Sequence, residues 1–98
     1  MASHAHSIPV PDAQFRTWWI AAKTIDATID TLDLSDEQVE QLQSEKHGLE
    51  GLIASRKAAG RVGVLVKARL LHRKLSDDLD EFGADLAQQI IRHLERAQ

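Results

Sequence analysis

Seven basic side chains, Arg56, Lys57, Arg61, Lys67, Arg69, Arg73 and Lys74, lie between Gly51 and Ser76 without a single acid among them. Guanidinium and ammonium groups at this density can hold phosphate or carboxylate, so an anionic or nucleic-acid ligand is the first chemistry to weigh. Arg56, Lys57 and Arg61 are the best phosphate candidates, because they precede a helix whose first backbone N–H groups also favour anions. The flanks carry the opposite sign. Residues 1–50 hold nine acids against Arg16, Lys23 and Lys46, and residues 77–98 hold six against Arg92 and Arg96, leaving a net charge of −3 over 98 residues. A molecule that is acidic overall repels a polyanion. The nearest partners for the basic window are therefore the acidic parts of its own fold or of a second copy.

Other chemistries find little support. There is no cysteine, which excludes disulfides, thiolate zinc sites and thiol nucleophiles and makes a reducing, cytoplasmic setting the simplest home. His47, His72 and His93 stand alone, and no Glu-x-x-His or His-x-x-x-His pair is present to build a metal site in a helical core. His47 and Glu50 are three apart in the reverse order. With the initiator methionine removed, Ala2-Ser3-His4 could wrap a square-planar copper or nickel ion, although a small polar leader explains those residues as well. The serines have no histidine at useful spacing. Gly60 and Gly63 flank Arg61-Val62 without the Gly-Lys-Ser/Thr of a phosphate loop. The expectation is a protein with no cofactor, no metal and no catalytic residue, hence not an enzyme. No apolar run nears the ~18 residues of a membrane span, and the opening MASHAHSIPVP has neither the basic start nor the apolar stretch of a secretory signal.

These residues must be positioned by helices. Phe15, Trp18, Ala22, Ile25, Ile29 and Leu32 follow one another at spacings of three and four, a seam on one face of a helix that Pro11 and Asp12 can open. After Asp33-Leu34, Ser35-Asp36-Glu37-Gln38 is a capping box. Val39, Leu42, Lys46, Leu49 and Ile53 then keep the same rhythm, with Lys46 inside the apolar stripe as a snorkelling cation or a polar device that sets register or partner. Gly48 and Gly51 fall away from that stripe, where they could admit a close neighbour. The third helix starts at Gly60 or Arg61. At about 100° per residue, Lys67 and Lys74 share one edge while Arg69 and Arg73 share another, with apolar residues on both sides between them. Such a helix belongs at the centre of a bundle, its basic stems reaching out to acidic neighbours. Ser76 and Asp77 offer a cap for a fourth helix, expected to bury Leu79, Phe82, Leu86, Ile90 and Leu94.

Around residues 49–71, LEGLIASRKAAGRVGVLVKARLL, the chain resembles a group of short, uncharacterised helical proteins of alphaproteobacteria, some carried on prophage-like or plasmid-like DNA. Ile53 and Ala54 match the end of that group's first helix. Gly63, Val64, Val66, Lys67, Arg69 and Leu70 match its Gly-Val-x-Val-Lys-x-Arg-Leu helix. The turn departs, since Ser55-Arg56-Lys57-Ala58-Ala59-Gly60 lacks the group's Thr-Pro-Ala-Arg-Thr. The resemblance implies a helix break near 56–60 and a mobile-element setting, and it brings no activity with it.

The fold expected is all-α: a small bundle of four helices at about 12–32, 36–57, 61–75 and 77–97, the first two an antiparallel hairpin. Residues 1–11 form a flexible leader and 12–98 one helical domain. The function expected is a protein-binding module that associates with itself as a dimer or with another protein, as adaptor or inhibitor, through Trp19, Ile20, Lys46, Val62 and Val66. The alternative is a nucleic-acid-binding regulator using the basic segment 56–74.

Overall fold

Each apolar stripe needs a neighbour, and the arrangement of the helices decides which stripes find one. The computed structural model describes residues 8–96, and among them four helices are present: α1 Asp12–Thr31, α2 Asp36–Ser55, α3 Arg61–Asp77 and α4 Glu81–Arg96. The all-α bundle is as the periodicity predicts. The α1 seam buries Phe15 and Ala22 and half-buries Trp18, Ile25 and Ile29. Its threonines at 17, 24, 28 and 31 turn outward and donate their hydroxyls to carbonyls four residues back, so none competes for the core. The Ser35 hydroxyl accepts from the Gln38 N–H while the Gln38 side chain accepts from the Ser35 N–H, closing the expected capping box of α2. Lys46 meets Asp26 and Ile53 packs with Phe15, so α1 and α2 run antiparallel.

The centre belongs to α3, which packs on all three other helices. Val66 and Leu70 join Phe15 and Ile53 in one buried cluster. Leu65 and Ala68, on another side of α3, join Ile91 in a second, with Leu94 at its edge. The approach of α1 is close at Gly63, where a Cβ atom would stand 2.8 Å from the Phe15 ring and 2.7 Å from the Ala58 Cβ. Val10 is drawn in as well. Its N–H donates to the Lys57 carbonyl (2.8 Å) and its carbonyl accepts from the Ala59 N–H (3.0 Å). That part of the expected flexible leader is therefore held by the α2–α3 loop. Ala2, Ser3 and His4 lie outside the described residues.

The break between α3 and α4 falls later than expected, because α3 continues to Asp77 and α4 begins at Glu81. Ser76 and Asp77 are not the cap; Asp80 is, its carboxylate accepting from the Gly83 N–H at 2.9 Å. Before it, the Asp80 N–H reaches back to the Leu75 carbonyl and the Leu79 N–H to that of Ser76. This is the Schellman pair that ends a helix, and it requires a left-handed residue. Leu79 fills that position at φ 59°, where glycine is the usual occupant.

Candidate functional site

The basic window can be followed cation by cation. Lys67 donates to the Ile53 carbonyl (2.6 Å) and the Ala54 carbonyl (3.2 Å), placing its ammonium at the negative C-terminal end of α2 and 5.3 Å from the centre of the Phe15 ring. Partial burial there lowers its pKa below the ordinary 10.5. Arg69 pairs with Glu95 of α4 at 2.9 Å. Arg73 pairs with Asp26 of α1, whose other oxygen receives Lys46 of α2 at 2.9 Å. Lys74 pairs at 2.9 Å with Glu50, the one buried acid among the described residues. Each cation of α3 from Lys67 onward is thus engaged within the fold. Exposed pairs of this kind contribute little stability, but the cation facing buried Glu50 offsets a real desolvation cost.

The phosphate candidates need a correction. The α3 N-terminus is already filled by the molecule's own carboxylate: Asp12 accepts from the Gly63 N–H at 3.1 Å and stands against Gly60. An N-terminal cap has thus been borrowed from α1, 51 positions away. Arg56 is half-buried with its Nε lacking a hydrogen-bond partner among the described residues, Lys57 is exposed, and Arg61 lies on the surface just beyond the Asp12 cap. They make no cradle around a vacant helix end.

The partner-binding candidates divide. Val66 is 2% exposed and sits in the core between Phe15 and Leu70, so it presents nothing to a partner. Its place on α3 is the side that meets α1 and α2, which the apolar pattern alone does not separate from an outer face. Val62 is half-buried against the same cluster. Lys46 belongs to the Asp26 ion pair and joins α1 to α2. Trp19 is half-buried against that cluster too, while Ile20 is open at 61% exposure. Trp19 walls a cleft of about 400 Å³ between α1 and α4 whose other walls include Lys23, Arg69, His72 and Arg73. A neighbouring hollow extends it toward Arg16, Ile20 and Val62. The fold therefore brings Trp19, Ile20 and Val62 together with Arg69 and Arg73 around two adjoining hollows.

The largest departure is α4. Its expected buried stripe faces outward: Leu79 is 86% exposed, Phe82 87%, Leu86 61% and Ile90 49%. The helix instead turns Ala87 and Ile91 to α3, with Leu94 beside them. Apolar residues occupy about half its circumference, and α3 covers only one edge of that arc. The exposed face continues onto α3, where Val64 and Leu71 are also open. Leu75 and Gly83 meet on that same side of the hairpin.

No family model matches the chain, and comparison with curated proteins and with solved structures finds no match. Among the described residues no group of three or more metal-ligating side chains occurs, and no helix is long and apolar enough to cross a membrane.

Proposed function

We propose that this chain is a non-enzymatic, cytoplasmic helical module that acts by binding protein, as an adaptor or inhibitor, and that its main binding face is the outer side of α4. One observation carries this reading: Phe82, Leu86 and Ile90, spaced by four on one helix, are largely open to solvent together with Leu79. A contiguous apolar strip of this kind exceeds the scattered single residues normal on a surface. The engagement of Lys67, Arg69, Arg73 and Lys74 within the fold weakens the nucleic-acid alternative, since a phosphate would have to compete with their partners in the fold. Trp19 and Ile20 offer a second, smaller contact.

The test compares two multiple variants, Phe82→Ser/Leu86→Ser and Arg56→Gln/Lys57→Gln/Arg61→Gln, with the parent chain. Light scattering reads association with protein, and fluorescence anisotropy reads binding of labelled DNA and RNA between about 50 and 200 mM salt. The serine variant should keep its helix content and lose association, whereas the glutamine variant should keep both. A nucleic-acid complex that weakens tenfold in the glutamine variant, with a shallower salt dependence, would overturn the reading.

A further inference from the structure

We infer that the surface on α4 is covered by a second copy of the same chain, with the two α4 helices packed antiparallel about a two-fold axis near Leu86. The inference rests on the reading of α4 as an interaction surface and names its occupant. Three features of the molecule point to self-pairing.

The first is the spacing. Phe82, Leu86 and Ile90 are placed symmetrically about Leu86. Antiparallel pairing sets Phe82 of each copy against Ile90 of the other and Leu86 against itself, so large side chains meet across the whole strip. A two-fold interface must be self-complementary in this way.

The second is charge. The last residue of α3, the turn after it and the first half of α4 carry Asp77, Asp78, Asp80, Glu81 and Asp85 with no base. The last turns carry Arg92, His93 and Arg96, and the acid among them, Glu95, is held by Arg69. Antiparallel copies place the acidic end of each α4 beside the basic end of the other. Parallel copies would bring like charges together.

The third is area. The exposed parts of Leu79, Phe82, Leu86 and Ile90, with Val64 and Leu71 of α3 beside them, offer about 700 Å² per chain, close to the ~800 Å² that each side of a standard interface supplies. Leu79 adds a sign of purpose. It holds a left-handed backbone that glycine would adopt without strain, and it projects a nearly bare leucine at the rim of the strip.

The absence of cysteine makes the geometry directly testable. Leu86→Cys should form an intermolecular disulfide under mild oxidation, whereas His93→Cys, far from the axis, should not. Light scattering should give twice the chain mass for the parent. Phe82→Ser should raise the dimer dissociation constant at least tenfold, and so should Arg92→Glu/Arg96→Glu. Adding Glu81→Lys/Asp85→Lys to the latter should restore the dimer, a rescue that general damage to α4 would not produce. Four outcomes would overturn the inference: a parent that is monomeric at 100-fold the working concentration of the assay, a rescue that fails, cross-linking at 93 without cross-linking at 86, or a dimer indifferent to Phe82→Ser. A monomer that still loses a protein partner through Phe82→Ser leaves the α4 surface standing and removes the dimer. A dimer indifferent to Phe82→Ser removes both.

Discussion

The stripes of α1 and α4 look alike in sequence and have opposite fates. Phe15, Trp18 and Ala22 repeat at three and four, and they face α2 and α3; Phe15 is completely buried. Phe82, Leu86 and Ile90 repeat at four and face solvent. The difference does not lie in either helix alone. α1 has two neighbours across its seam, while α4 has α3, whose other sides are already occupied by α1 and α2. Periodicity announces that a helix has an apolar face. Burial depends on how many neighbours the topology supplies.

The comparison breaks most visibly at the two phenylalanines. Phe15→Ala should cost about 3–5 kcal/mol of folding stability in urea denaturation, because it leaves a cavity at the junction of α1, α2 and α3. Phe82→Ser should move the folding of a single chain by no more than about 0.5 kcal/mol. Equal losses at both sites would show that α4's stripe is part of the core after all.

Two glycines sharpen the contrast between crowded and open faces. Gly63→Ala should destabilise by about 1–3 kcal/mol, since its Cβ would meet Phe15 and Ala58 well inside normal contact distance. Gly51→Ala should stabilise by about 0.5–1 kcal/mol, because open space surrounds that position within an exposed helix face. Thermal melts of the pair read both signs in one experiment.

Helix ends give the next effects. Asp12→Ala should cost about 1 kcal/mol by removing the cap of α3. Leu79→Gly should gain about 1 kcal/mol in a chain whose α4 face is open, since it relieves a left-handed leucine. If a second copy covers that face, the gain should shrink as concentration rises, because the leucine then has a contact to lose.

The smallest effect is in alkali. With the Lys67 pKa lowered by burial, the unfolded chain holds a proton that the folded one has released between that value and 10.5. Stability should therefore rise with pH through this window relative to Lys67→Met, measured as the difference between the two urea midpoints.

The helices, the capping box at Ser35 and the central position of α3 were all legible in the sequence, because spacing and local hydrogen bonding determine them. The partners of the α3 cations were legible only as a class. That acidic helices would receive them follows from segregated charge, but the choice of Asp26, Glu50 and Glu95 needs the crossing of the helices. The second role of Asp12 is not legible for the same reason: it sits in its own helix's first turn, where an acid is already favourable, and nothing local signals that it serves a second helix. Val66 and Phe82 show the remaining limit. Both are apolar residues on amphipathic helices, and only the placement of neighbours makes one core and the other surface.

The two hydrogen bonds of Val10 have a consequence for how the molecule can come apart. The α2–α3 loop is the hinge between one hairpin and the other, and exchange of hairpins between copies would have to open there. Val10 splints that hinge from outside while Asp12 and Phe15 pin its far end at Gly63. Swinging the hairpins apart therefore means peeling the start of α1 away first. In hydrogen exchange, the amide of Ala59 should outlast those at either end of α4, although it belongs to no helix. A loop by its local structure, this segment behaves mechanically as a latch against the trading of hairpins between copies.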